Sequence, residues 1–286
     1  MSYPFINAVE TFFWWGTYSA DHDRGDPEAG WPPLWASWRC RCKPSTAPPT
    51  PCAPSSTRPP TLFPGRGRAI VADVSAPDLY RRLLPADAVP ASVLSSLTDF
   101  VWDLPTVKVN YALAGPIPWR SVSLRGAGTV HLGADADALV RWMADLTAGT
   151  VPRHPFTLFG QMSTADPMRS PQGTESAWAY SHLPRGVADD GSARALAAAI
   201  DLVVEQHAPG FGDHVIARSE QLPSGLESAD ANLHAGAVNG GTAALFQQVI
   251  FRPLPGFGRP ETPVQSLHLG SAAASPGGSV HGICGP

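Results

Sequence analysis

Two periodicities alternate along this chain. From Arg66 onward, short runs in which apolar and polar residues swap at every position give way to runs in which apolar residues return every three or four, and back again. Residues 69–72 read as a strand, followed after a turn by a short helix begun at Ser75, with Pro77 in its first turn and Leu79, Leu83 and Leu84 apolar. A second short helix is predicted over 91–100. The clearest alternation is TVKVNYAL at 106–113, where Val107, Val109, Tyr111 and Leu113 face one way and Lys108, Asn110 and Ala112 the other, as in a half-buried strand. Gly115, Pro116 and Pro118 end it. A strand over 129–132 leads to Asp135, a cap for a helix over 136–147 with Leu139, Val140, Met143 and Leu146 on one face. Strands are expected over 156–162 and 177–182, separated by the turn-rich STADPMRSPQGTES. A longer helix over 192–207 stops before Pro209 and Gly210, and a strand over 214–218 and a glycine-rich loop to Thr242 follow. Near the end, Leu267 and Leu269 alternate with His268, and the chain runs into GSAAASPGGSVHGICG. There small residues and Pro276, Gly277 and Gly278 force a turn whose backbone can approach a ligand closely.

Strands and helices alternating in this order make an α/β to α+β fold the expectation. No period of about 20 to 50 residues recurs, which excludes a solenoid. Upstream of Arg66 the pattern changes. Phe5, Ala8, Val9, Phe12 and Phe13 fit a helical face within an aromatic-rich segment over 1–34, which reads as packing surface rather than as a ligand stack. Between Lys43 and Pro64 there are eight prolines in 22 residues, so 35–65 reads as an extended linker. That region carries no Asp or Glu, and an out-of-frame translation is a second explanation of its abrupt composition. Its arginines lack interleaved aromatics after Trp38, so no nucleic-acid partner is expected. The remaining divisions are 66–104, 105–235 and 236–286.

The 286 residues are 43% hydrophobic, enough for a core, and no run of about 18 apolar residues suggests a membrane span, although peripheral membrane contact stays open. The start lacks a basic segment and a small-residue cleavage site, so a cytoplasmic location is the default expectation. Cys40, Cys42, Cys52 and Cys284 lack the spacing and neighbouring histidines of a zinc site, and the histidines lack H-x-x-x-H spacing, so no metal is expected. There is no G-x-S-x-G elbow and no G-x-G-x-x-G fingerprint. Ser163 and Asp166 read as turn residues rather than as a nucleophile and its acid.

Three segments, VADVSAPDLYRRLLP, FGQMSTADPMRSPQGTESAWAYSHLP and VNGGTAALFQQVIFRPLPGFGRPETPVQSLHLGSAAASPGGSVHGICG, together resemble the distal portion of FAD-dependent oxidoreductases of the phytoene-desaturase-like branch, within the amine-oxidase and GDP-dissociation-inhibitor-like flavoproteins. The resemblance implies an incomplete two-domain flavoprotein. A partial Rossmann-like FAD domain would be assembled from both chain ends, with a mixed-sheet substrate domain between them. It implies FAD as cofactor, contacted at Gly270, Pro276, Gly277, Gly278, Val280, His281 and Gly282. It also implies a substrate side that includes Lys108, Asn110, Gln161 and Tyr180, facing a small apolar or amine-type substrate. The chain departs from the family in lacking the dinucleotide fingerprint and in carrying Ser275 and Ser279 where His and Gly are usual. A truncated fragment is therefore the expectation. The competing reading is a non-catalytic remnant or binding module without flavin.

Overall fold

All seven predicted strands form in the computed structural model, which describes residues 69–278. Strands β1 (Ile70–Ala72) and β7 (Leu267–Leu269) pair in parallel, with Ile70 opposite Leu267 and Ala72 opposite Leu269. The other five, β2 (Thr106–Leu113), β3 (Thr129–Leu132), β4 (Thr157–Gln161), β5 (Glu175–His182) and β6 (Val215–Gln221), make an antiparallel sheet in the order β3-β4-β5-β2-β6. The fold is therefore mixed, with parallel and antiparallel sheets and flanking helices, as the alternating pattern implies. The aromatic segment 1–34, the proline-rich 35–65, the four cysteines, Val280, His281 and Gly282 lie outside the described residues.

One face of the large sheet is covered by the helix Asp190–His207, whose amide Ser192 N is capped by the Asp189 carboxylate at 2.9 Å. Ala193, Leu196, Ala197, Ile200, Val203 and Val204 line one side of that helix and pack on Val107, Val109, Tyr111, Leu113, Phe159, Ala177 and Ala179. The strand residues are those that alternation places on one face. Burying each large side chain in this layer contributes roughly 1.5–3 kcal/mol.

A second core joins residues far apart in sequence. Ala76, Leu79, Tyr80, Val89, Val93 and Leu97 pack with Leu254, Leu267, Leu269, Ala273 and Ala274. A parallel strand pair of three residues each is too small to stand alone, so this cluster is what holds β1 and β7 together.

Several expectations are corrected. The helix begun at Ser75 has only its first turn, Ala76–Asp78, before a wider π-helical turn over Leu79–Leu83, and Leu83 swings out to 60% exposure ahead of Pro85. The helix Ala136–Thr147 starts where predicted, with Asp135 accepting Ala138 N at 2.8 Å, but Val140 and Met143 are exposed and only Leu146 is fully buried. The glycine-rich loop hides the helix Pro223–Ala229, whose Pro223 occupies a favourable first-turn position. Finally, β2 is not half-buried. Lys108 is only 2% exposed because the face it shares with Asn110 carries its own aromatic layer.

Candidate functional site

The two parallel strands end on the same side, and their exit loops are sewn together there. Gly270 N donates to Ala72 O at 2.9 Å, and Ser271 Oγ donates to Val74 O at 2.6 Å. Asn232 bridges the same loop from the side, accepting Ser75 N at 2.9 Å and donating to Asp73 O at 3.2 Å. The crevice outside the carboxyl ends of parallel strands is where open α/β sheets bind ligands. The small residues of the turn have packing reasons as well. A Cβ on Gly270 would strike Val71 Cγ1, and one on Gly277, whose φ is +134°, would strike Gln248 Oε1. Gly277 is buried, while Ser275, Pro276 and Gly278 are half-buried and present the outer surface of the turn.

Beneath the turn lies Arg252, 1% exposed. Its Nε donates to Ala272 O at 2.8 Å, its Nη1 to Thr242 O at 3.1 Å, Gln247 O at 3.4 Å and Gly241 O at 3.5 Å, and its Nη2 to Asn239 O. One guanidinium thus gathers the 239–247 loop and the turn around itself. Burial brings its pKa down to about 10, which leaves it charged at neutral pH. The same loop touches the turn again through Val249 N, which donates to Pro276 O at 3.0 Å. Val249 has φ +55°, a strained conformation for a β-branched residue, in a place where strain commonly marks a functional site. Around it Leu245, Phe246, Val249, Ile250 and Phe251 are all exposed, by 44% to 85%. Asn239 is 6% exposed, and its Oδ1 has no hydrogen-bond partner.

Of the remaining sequence-predicted residues, Lys108, Asn110 and Tyr180 lie on the second face of the large sheet. Register puts Lys108 opposite Tyr180 and Asn110 opposite Trp178, and Gly160 sits beside Trp178 on β4. A Cβ at Gly160 would overlap the Trp178 indole, so glycine there lets the ring lie flat across the strand. Trp178 and Tyr180 stack at 5.8 Å and 18°, and Tyr180 meets His182 edge-on at 5.7 Å. Trp142, from the helix Ala136–Thr147, packs near Phe156 and His182. Among these rings the Lys108 amine is desolvated, and burial lowers its pKa to about 7. A lysine in that state is partly neutral at physiological pH and can accept a proton.

Residues 101–106 run between the 239–252 segment and the large sheet. The Gln247 amide clamps Val101 like a strand neighbour, with Oε1 accepting Val101 N and Nε2 donating to Val101 O, both at 2.9 Å. Asp103 is buried, and burial raises its pKa despite the opposing fields of His182 and Arg252. His182 is pushed the other way, below its ordinary value, by the same desolvation.

The fold therefore brings Gly270, Pro276, Gly277 and Gly278 into one turn, and Lys108, Asn110 and Tyr180 onto one sheet face. It does not bring Gln161 to them. Gln161 points to the opposite face, where Oε1 accepts Trp119 Nε1 at 2.9 Å and Nε2 donates to Leu124 O at 2.8 Å and Ala127 O at 2.5 Å. Alternation from Leu158 and Gly160 would have shown this. Val280, His281 and Gly282 fall outside the described residues. Sequence reasoning missed Arg252, Gln247, Trp178 and Gly160, whose roles depend on contacts between distant segments. Among the described residues no group of three or more His, Cys, Asp or Glu could hold a metal ion, and no helix is long and apolar enough to cross a membrane.

No family model matches the chain. Two curated proteins are similar over 235 residues at 25% identity, the pyridine nucleotide-disulfide oxidoreductase domain-containing protein 2 of Rattus norvegicus and that of Mus musculus. Each match covers 77% of this chain and 40% of the relative, so the chain spans about two fifths of their length. These names do not specify the phytoene-desaturase-like branch. Among solved structures, an oxidoreductase from Methanosarcina mazei aligns with a TM-score of 0.43 and 13% identity, over 76% of this chain and 40% of that one.

Proposed function

We propose that this chain is the distal portion of a flavin-dependent oxidoreductase, in which the turn at 270–278 contacts FAD and the Lys108 face receives an apolar or amine-type substrate. The observation that carries this reading is the joining of β1 and β7, whose carboxyl ends meet in a glycine-rich turn with a buried cation underneath. In that reading 66–104 and 236–286 form the cofactor-contacting part and 105–235 the substrate part, in keeping with the two separate cores. The distant relatives support the flavoprotein class, and the narrower phytoene-desaturase-like branch rests on the order of the three resembling segments. A cytoplasmic location remains part of the proposal.

The residues present suit the cofactor. The turn follows the carboxyl ends of two parallel strands, where backbone can approach a ligand, and the orphaned Asn239 Oδ1 provides a buried acceptor. FAD bound there would supply the hydride acceptor. The protein's own share is orientation and proton handling. Trp178 and Tyr180 stack on each other beside Lys108, all three buried, and a substrate admitted to that face could pass to the Lys108 amine the proton that an amine must shed before it gives up hydride. The exposed apolar run Leu245 to Phe251 beside the turn favours a substrate with apolar surface.

One observation favours a binding module without flavin. Val71 and Gln248 account for glycine at 270 and 277 with no ligand at all. Adding FAD to the purified full chain separates the readings. Stoichiometric binding with the absorbance of a protein-held flavin supports the oxidoreductase, and a folded chain that leaves FAD free in solution supports the module.

A further inference from the structure

The buried guanidinium of Arg252 is difficult to explain as a purely structural group. Removing a charge from water is costly, and an apolar residue of the same volume is often no worse for stability. Yet all three nitrogens of Arg252 are engaged, the acceptors are all backbone carbonyls, and no carboxylate among the described residues hydrogen-bonds it. Such carbonyl contacts satisfy its hydrogens without adding a counter-charge. Asp103 is a buried acid whose field reaches it, with no hydrogen bond between the two. The charge therefore sits under the turn, one hydrogen bond from Ala272, with Gln248 and Arg252 Cδ both lying against Gly277.

We propose that Arg252 is the positioning residue of the cofactor turn, a buried cation that holds the turn in shape and biases the site toward an anionic ligand group, which for a flavin is its reduced, anionic state. The inference rests on the flavin reading above. Two properties of arginine are used at once. Its planar fork reaches carbonyls on two segments, which a lysine ammonium cannot span, and its high pKa keeps the charge when buried. Shape and charge can thus be separated by substitution.

The test is flavin affinity together with the midpoint potential of bound FAD in the full chain, for wild type, Arg252→Lys, Arg252→Met and Arg252→Gln, with melting curves to confirm folding. Arg252→Lys is expected to weaken FAD binding while keeping the potential near that of wild type. The neutral variants are expected to lose affinity and to shift the preference between reduced and oxidised flavin by at least tenfold toward oxidised, ~30 mV for a two-electron couple. Neutral variants that bind FAD at an unchanged potential overturn the charge role and leave the flavin reading intact. A folded wild type that binds no FAD overturns both. Should the neutral variants not fold, Arg252→Lys decides, since unchanged affinity and potential in that variant would overturn the positioning role.

Discussion

Replacing Lys108 with methionine should make the protein more stable near neutral pH and remove a pH dependence that the wild type carries. Lys108 is 2% exposed, and burial brings its pKa from 10.5 to about 7. Between those values the unfolded chain holds one more proton than the folded one, so stability rises with pH across the window and is lost as pH falls toward 7. At about 1.4 kcal/mol per unit, the uncharged variant is relieved of a penalty on the order of 4 kcal/mol at pH 7. Neighbouring titrations act elsewhere. His182, lowered by burial, acts in the same direction but below its ordinary range, Arg252, lowered to about 10, acts in the same direction only as pH nears that value, and Tyr80, pushed up to about 12, acts oppositely only above pH 10. Urea unfolding of both proteins at several pH values between about 7.5 and 9 reads the effect as a slope of roughly 1.4 kcal/mol per pH unit in wild type and none in the variant. A methionine variant with the wild-type slope would refute the desolvated-amine account, whatever its absolute stability, because a change in side-chain packing alone has no pH dependence.

Other substitutions test the two layers on the sheet. Gly160→Ala should force the Trp178 indole off β4 and break its stack on Tyr180, costing about 1–3 kcal/mol and changing tryptophan fluorescence. An unchanged emission spectrum and unfolding midpoint would show that the ring does not lie across the strand. Ile200→Ala, at a fully buried position of the helix Asp190–His207, should cost about 2–5 kcal/mol in urea unfolding, and a loss below about 1 kcal/mol would place that helix off the sheet.

Much of the fold is legible in the sequence because its signals are local. The alternation of 106–113 fixes the register face of β2, and Asp135 marks the start of its helix by a cap that needs only three following residues. What alternation alone leaves out is what covers each face. It assigns Lys108 to the wetter side, and only the packing of Trp178, Tyr180 and the neighbouring elements makes that side dry. The site is less legible for the same reason. Glycines announce the turn at 270–278, yet its geometry depends on Arg252 and Gln248, which precede it by some twenty residues and carry no local motif. Gln161 shows the opposite failure, since its segment resembles a substrate wall while its amide is consumed by Trp119 and two carbonyls on the far face.

The most direct test of the central claim is the flavin content of the full chain and of Gly277→Val, measured by absorbance after equilibration with FAD and removal of the unbound cofactor. The account predicts close to one FAD per wild-type chain and none on the variant, whose side chain must displace the Gln248 amide and adopt φ +134°, a strained conformation for valine. A correctly folded wild-type chain without flavin, or a folded Gly277→Val chain that binds FAD as tightly as wild type, would contradict it.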